Sequence, residues 1–320
     1  MRAAINTEYG PPEVVTLQEI EKPVPTENEV LIKVYAATVN RTDCGFRSAD
    51  YLITRLFSGL RRPKFQTLGN EFAGVIEAIG PEVKLFAVGD KVFGYNDKRC
   101  GAHAEYLTMG AQDAIATMPR NWSFEQAAPL CEGAHYALCD IRAAKVKSGQ
   151  NMLVYGATGA IGSAAVQLGK FFGATVTAVC NTPNVALVKS LGADVVIDYT
   201  QQNFTKTDQA FDFVFDACGK SSFAACKPLL TKNGIYISTE LGYRGANIFL
   251  ALLTPLLGGK KVLFPIPTMT QADVILLKEL AEAGHFKPVV DRQYPLEKIV
   301  EAYRYVEAGQ KIGNVILTLN

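Results

Sequence analysis

The chain has 320 residues, 48% of them hydrophobic and 20% charged, and a formal net charge of +1. That length has room for about two domains, and a chain of this size buries roughly 75% of the surface it exposes when unfolded. Near-neutral charge gives no electrostatic case for nucleic acid or an anionic membrane surface as a partner.

No apolar run reaches the length of a membrane span; the nearest, Ile248 to Leu257, is interrupted by Thr254 and Pro255. The N-terminus opens directly on strand-like Arg2 to Ile5, so the expectation is a chain without a targeting peptide that works in the cytoplasm. The seven cysteines are odd in number and form no C-x-x-C pair. They point to free thiols in a reducing compartment rather than to a disulfide framework.

In chain order, residues 1 to 122 carry short strand patterns divided by Gly and Pro: Glu29 to Tyr35, Glu71 to Ile79, Lys91 to Gly94 and Ala104 to Thr108. That density predicts an all-β, barrel-like domain. At Ser123 the pattern changes. Ser123, with Gln126 three residues on, is a capping box that opens a helix.

The stretch Asn151 to Cys180 then reads as strand, tight turn, helix, strand. Met152 to Tyr155 is the apolar run of a strand buried on both faces. Ala157, Thr158, Gly159, Ala160, Ile161 and Gly162 follow at once, and helical spacing runs from Ser163 to Phe172. Gly159 lets backbone approach a pyrophosphate, Gly162 lets helix pack on strand, and the helix N-terminus offers free N–H groups. A glycine pattern alone is weak; between a strand and a helix it predicts dinucleotide binding. The pattern departs from G-x-G-x-x-G in having Ala157 first.

Beyond it come helix Val185 to Leu191, strands Val195 to Asp198 and Phe211 to Asp216, helix Phe223 to Leu230 and strand Gly234 to Ser238. The alternation predicts a doubly wound parallel sheet, with Lys260 to Pro267 as its edge strand. A helix from Gln271 to Ala283, a second at Tyr303 to Ala308 and a strand at Asn314 to Leu319 close the chain.

An acidic residue about 20 positions beyond the glycines binds the ribose 2′-hydroxyl of NAD. Here Asn181, Thr182, Pro183 and Asn184 stand after the second strand, with no carboxylate. Asn181 and Thr182 accept a 2′-phosphate that a carboxylate would repel, so NADPH is the expected cofactor, although the nearest cation, Lys189, is a helix away.

The fingerprint with Ala157 resembles that of the medium-chain dehydrogenase/reductase superfamily. So do Glu29-Val30-Leu31-Ile32-Lys33, Gly69-Asn70-Glu71, Val88-Gly89-Asp90-Lys91-Val92, Gly101-Ala102-His103-Ala104-Glu105-Tyr106 and Gly192-Ala193-Asp194. The resemblance spans the chain and is nearest to the zinc-free quinone oxidoreductase branch, zeta-crystallin type included. It implies a GroES-like catalytic domain, residues 1–122 completed by 268–320, with a Rossmann domain inserted at 123–267. The fold class expected is thus α/β, a doubly wound Rossmann sheet inserted into a GroES-like β-barrel domain. It also implies that Asn40 stands at the nicotinamide, that Tyr199 packs on the adenine ribose side, and that Phe264, Ile266 and Asn314 lie beside the cofactor. A homodimer is expected.

Zinc enzymes of the superfamily keep a catalytic Cys, His and Cys. By motif those positions fall on Asn40, Asn70 and Cys131, and amides are poor zinc ligands. No metal is expected. Without one, a conjugated acceptor is easier to reduce than a simple ketone: hydride adds to carbon and the charge spreads to an oxygen. The expected acceptor is a small-molecule quinone or an enone or enal. Asn40 can donate to its carbonyl or serve as a structural amide, and Asp43 is a buried orienter. Gly45 replaces a family Tyr, so the proton source is open among Tyr51, Tyr95 and Tyr243. Two other functions stay open: a metal-free ketone/alcohol oxidoreductase, and an NADPH-binding protein with a structural or partner-binding role. Among the histidines, His103 reads as structural, His135 as a site candidate or a packed neutral ring, and His285 as a cap or surface residue. Tyr243 to Leu257 reads as pocket lining or dimer contact, with a core or lid role as the alternative.

Overall fold

The structure, a computed structural model, describes residues 1–50 and 52–319; Tyr51, one of the proton-source residues named above, lies outside them. From the N-terminus the chain runs β1 (Arg2–Ile5), β2 (Thr16–Glu19) and β3 (Glu29–Val39), then helices α1 (Arg41–Ser48) and α2 (Leu52–Ser58). Strands β4 (Glu71–Ile79), β5 (Lys91–Tyr95), β6 (Tyr106–Gly110) and β7 (Ile115–Thr117) follow, then the short α3 (Phe124–Ala127). From α4 (Glu132–Ala144) the order alternates: β8 (Asn151–Tyr155), α5 (Ala160–Phe171), β9 (Thr175–Cys180), α6 (Val185–Ser190) and β10 (Val195–Asp198). Next come β11 (Phe211–Asp216), α7 (Phe223–Cys226), β12 (Leu230–Ser238), α8 (Ala246–Leu257) and β13 (Lys261–Leu263). The last elements are α9 (Gln271–Glu282), β14 (Val290–Pro295), α10 (Ile299–Glu307) and β15 (Asn314–Thr318).

Two compact units emerge. Unit 1 holds Met1–Glu132, Met269–Gly284 and Pro288–Asn320; unit 2 holds Gly133–Thr268 and His285–Lys287. The sequence reading opens its second domain at Ser123, whereas residues 123–132 group with unit 1. The reason is local packing: Phe124 stacks on Tyr35 of β3 with ring centroids 4.6 Å apart, and the backbone N–H groups of Cys131 and Glu132 donate to Glu71 on β4.

In unit 1, among the described residues, the main sheet runs β14-β15-β3-β4-β5-β7, with β6 also paired to β3. It is antiparallel except for β14 on β15. β3 is the spine because its Val, Ile and Ala residues are buried almost throughout. It pairs Ile32 with Ile76 and with Leu107, and Thr38 with Ile316. This is the expected GroES-like architecture.

Unit 2 has one sheet, parallel throughout, in the order β10-β9-β8-β11-β12-β13 among the described residues. Its strands are near-continuous apolar runs because helices cover both faces. Leu153, Val179, Val214, Tyr236 and Val262, one from each of five strands, meet in the core with Phe211, Phe223 and Leu229. The chain moves outward from β8 to β10, then returns beside β8 at β11, so the order reverses between these two. Open α/β sheets bind ligands beyond the strand ends at such a reversal. The doubly wound sheet is as expected, with two shortened elements. Pro228 turns the end of helix 223–230 into a 3₁₀ turn, and Pro265 and Pro267 lie beyond the end of the edge strand at Leu263. Near the C-terminus, Lys287 exchanges two hydrogen bonds with Gln167 of α5, its N–H to Oε1 at 2.9 Å and its carbonyl accepting from Nε2 at 3.0 Å.

Candidate active site

The turn after β8 is shaped around its glycines. Gly156 has φ +84°, the left-handed region that favours glycine. A Cβ on Gly162 would stand 2.1 Å from the Gly156 carbonyl oxygen, so only glycine lets α5 pack this close to the turn. Gly159 is different. Its φ is an ordinary −71°, it is the N-cap of α5, and a Cβ there would meet nothing nearer than 3.9 Å. It leaves an open space in front of the first-turn N–H groups of Ala160, Ile161 and Gly162, which have no acceptor within the helix. Free donors, a helix N-terminus and a bare backbone fit a pyrophosphate. Thr158 lies on the same turn, and Ala157 is fully buried with its N–H on Val179 of β9.

At the end of β9 stand Asn181 and Thr182. Asn184 donates from Nδ2 to Asn181 Oδ1. Thr182 donates from Oγ1 to Asp198 Oδ2 at 2.6 Å, and Thr200 donates to Oδ1 from both N and Oγ1 at 2.9 and 2.7 Å. These hydroxyl hydrogen bonds lower the Asp198 pKa. The sequence reading found no carboxylate here because it searched only the residues after β9. The parallel register, Asp198 opposite Cys180, brings one from β10. That register was the signal available. Tyr199 is exposed beside it, with its N–H on the Cys180 carbonyl at 3.0 Å.

In unit 1 the start of α1 meets a buried carboxylate cluster. Asn40 Nδ2 donates to Thr38 Oγ1 at 2.7 Å and to Glu71 Oε1 at 3.1 Å, and Thr38 Oγ1 donates to the same Glu71 oxygen at 2.7 Å. As placed, both amide hydrogens of Asn40 are engaged inside the unit. Asp43 accepts from Asn40 N at 2.8 Å and from Gly69 N at 3.0 Å, which fixes the approach to α1. Thr42 Oγ1 donates to Glu132 Oε1. Burial pushes the carboxyls of Asp43, Glu71 and Glu132 up to about 7. Behind them His103 Nε2–H donates to the Thr38 carbonyl at 2.8 Å, and its Nδ1 accepts from Tyr303 at 3.3 Å. Burial lowers this imidazole to about 4, so it is neutral and structural.

Residues 26–128 match the family described as "Alcohol dehydrogenase GroES-like domain", and residues 191–317 the one described as "Zinc-binding dehydrogenase". The chain is 32% identical to the 2-methylene-furan-3-one reductase of Solanum lycopersicum, over 99% of this chain and 79% of that protein. It is 31% identical to the quinone oxidoreductase of Pongo abelii, over 100% and 98%. The solved quinone oxidoreductase of Coxiella burnetii superposes with a TM-score of 0.88 at 26% identity, covering 100% of this chain and 99% of that one. The chain belongs to the zinc-free quinone oxidoreductase branch of the medium-chain dehydrogenase/reductase superfamily.

In this chain the positions of the superfamily's metal ligands are held by buried side chains. Asn40 caps α1 and binds Glu71. Asn70 is buried, its backbone carbonyl accepting from Asn96 N. Cys131 is fully buried, and burial raises its thiol well above the ordinary range, so it stays protonated.

The remaining expected residues are scattered. Phe264 and Ile266 follow β13 in unit 2; the Ile266 side chain is exposed and its carbonyl accepts from Cys139. Asn314, in unit 1, is buried with Nδ2 on the Val289 carbonyl at 3.0 Å. Tyr95 is buried beside Glu132, whereas Tyr243 is exposed under Arg244. A side chain at Gly45, the position of the family Tyr, would stand in open space. His135 is buried, edge-on to Tyr136 at 5.2 Å. His285 is exposed, 5.8 Å from the ring of Phe171.

Proposed function

We propose that the protein is an NADPH-dependent oxidoreductase that transfers hydride to a quinone or an α,β-unsaturated carbonyl without a metal. The observation that carries this reading is a turn fitted to pyrophosphate in a chain whose Asn40 and Asn70 replace two metal ligands. Full-length similarity to proteins named quinone oxidoreductase and 2-methylene-furan-3-one reductase supports the acceptor class.

The bound cofactor supplies a hydride from its reduced nicotinamide. The residues that would hold it are Gly159 with the N–H groups of Ala160, Ile161 and Gly162 at the pyrophosphate, Ala157 and Thr158 lining the turn, Asn181 and Thr182 with Tyr199 at the adenine ribose, and Phe264, Ile266, Asn314 and Asn40 toward the nicotinamide. Asp43 acts as an orienter of the α1 entry. The amide of Asn181 favours the 2′-phosphate, whereas the Asp198 carboxylate held by the hydroxyls of Thr182 and Thr200 opposes it, and the comparison of NADPH with NADH below weighs the two. We place the protein in the cytoplasm, in keeping with its seven free cysteines.

It works as a homodimer in this proposal. On unit 2 the outward face of α8 exposes Phe249, Leu252, Leu253, Leu256 and Leu257, and clustered exposed apolar side chains mark interaction surfaces. Its polar residues turn inward: Asn247 binds the Glu240 carbonyl and Thr254 binds Val262 of β13. β13 beside it is an open sheet edge.

The test is a panel of quinones, 2-alkenals and simple ketones with NADPH and with NADH. Oxidation of NADPH by conjugated acceptors, and not by simple ketones, is expected. Turnover of simple ketones, or equal use of NADH, overturns the acceptor or the cofactor assignment respectively.

A further inference from the structure

The near-neutral charge of the chain conceals a local imbalance. Residues 51–70 carry four cations, Arg55, Arg61, Arg62 and Lys64, and no Asp or Glu, in a protein whose net charge is +1. All four lie on α2 or on the loop after it, within unit 1. At a Debye length of about 10 Å, a large charged partner senses the groups that face it rather than the sum over the chain.

The loop, residues 58–64, is a closed finger. The Lys64 N–H donates to the Ser58 carbonyl at 2.6 Å and joins its two ends, and the Gly59 N–H donates to the Arg55 carbonyl at 3.0 Å. Gly59, at φ +116°, lets the chain fold back over it: a Cβ there would stand 2.2 Å from the Arg62 carbonyl oxygen. The stem is anchored to the body of the unit. Tyr9 donates from its hydroxyl to the Gly59 carbonyl at 2.6 Å, Arg55 lies over the Tyr9 ring at 5.1 Å, and Ser58 and Pro63 are buried. The tip is uncovered. Leu60 is 64% exposed, Leu56 on the last turn of α2 is 66% exposed, and Arg61, Arg62 and Lys64 are exposed. Among the described residues no carboxylate pairs with these three cations.

Two bare leucines beside three unpaired cations narrow the choice of partner. A soluble polyanion such as RNA matches the guanidiniums and leaves the leucines in water. A neutral apolar surface takes the leucines and strips water from the charges without compensating them. An anionic bilayer offers both halves: phosphate and carboxylate headgroups suited to planar guanidiniums, and just beneath them an acyl boundary for short apolar side chains. No helix among the described residues is long and apolar enough to cross a membrane, so such a contact is peripheral.

We propose that the finger and the end of α2 form a docking surface for an anionic lipid bilayer. Arg61, Arg62 and Lys64 meet the headgroups, and Leu56 and Leu60 enter the boundary below them. Three cations and two leucines give reversible, salt-sensitive attachment rather than permanent anchoring. This inference goes beyond the hydride-transfer reading and does not depend on it.

The experiment is co-sedimentation of the full chain with vesicles of phosphatidylcholine carrying about one-third phosphatidylserine, and with vesicles of phosphatidylcholine alone. The parent should pellet with the anionic vesicles only. Its partition coefficient should fall at least about tenfold as salt rises from about 0.1 M to about 1 M. Arg61→Glu with Arg62→Glu should lower that coefficient at least about tenfold at the lower salt. Leu56→Ser with Leu60→Ser should lower it about tenfold and leave the salt dependence in place. Circular dichroism and thermal melting check folding; if a pair does not fold, Arg61→Gln with Arg62→Gln, or Leu60→Ser alone, takes its place. A parent that stays in solution with both vesicles overturns the proposal. Parent-like pelleting of either folded variant does so too, by moving the contact elsewhere on the surface. Binding to an RNA oligonucleotide without binding to vesicles assigns the cations to a soluble polyanion and also overturns it. A parent inactive toward every conjugated acceptor overturns the reaction and leaves this docking surface standing.

Discussion

Gly159 and Gly162 look alike in sequence and do different work. Gly162 serves the fold: a methyl there meets the Gly156 carbonyl at 2.1 Å. Gly162→Ala is expected to cost about 3 kcal/mol and to lower the melting temperature without cofactor present. Gly159, under the proposed function, serves the ligand: with φ −71° and open space it tolerates a side chain. Gly159→Val should fold normally yet bind NADPH at least about 100-fold more weakly, a loss of about 2.7 kcal/mol. Calorimetric titration of both variants checks this, and a folded Gly159→Val that binds like the parent removes the nucleotide from this turn. The packing role of Gly162 was legible because its contact is a few residues away. The Thr42–Glu132 and Thr182–Asp198 contacts were not, because each joins residues brought together only by strand register or packing. His103 shows what a distant partner does to a single residue. Its folded pKa is lowered to about 4 and its unfolded pKa is about 6.5. Between these values the unfolded chain binds the extra proton, so the His103 contribution to stability falls as pH falls from about 6.5 to 4, by about 3 kcal/mol. The three raised carboxyls have the opposite slope but are common to parent and variant. The stability margin of the parent over His103→Gln, measured by denaturant unfolding, should therefore shrink across that window. A constant margin would show that the ring is not held neutral.

At the level of elements, period and punctuation identified most strands and helices, because parallel strands buried on both faces read as plain apolar runs. The capping box at Ser123 forms as expected, with Ser123 N on Gln126 Oε1 at 2.9 Å. Its helix, though, packs on β3 of unit 1, a choice made by Tyr35 and Phe124 that no local pattern records. Helix α8 resisted reading for a different reason. Its apolar residues satisfy the pattern of a core helix, yet Asn247 and Thr254 are the buried ones, while Phe249 is 71% and Leu256 82% exposed. Hydrophobicity tells that a residue prefers cover without telling from which molecule the cover comes. Under the dimer proposal, Leu252→Asp together with Leu256→Asp should leave the unit 2 fold intact and halve the mass measured by light scattering. A parent already monomeric at micromolar concentration would rule the dimer out.

The whole molecule was legible as a class, since its motifs run from Glu29 to Asp194 and match one superfamily. Unit 2 is built from one nearly continuous stretch, closed only by the short visit of His285–Lys287 to Gln167. Unit 1 is not: β15 lies between β14 and β3, with Val315 opposite Val39 and Leu317 opposite Ala37. On the ribosome this connectivity sets a timetable. The β3 edge emerges early and must wait, unpaired, for a partner made almost last, whereas unit 2 has nearly all of its chain in hand well before synthesis ends. Domains generally fold as units during synthesis, and an exposed strand edge is a template for wrong pairing in the meantime. The nascent chain thus spends its most vulnerable interval with unit 2 assembled and unit 1 still open, and loss of β15 by premature termination would leave a folded unit 2 attached to an unclosed sheet.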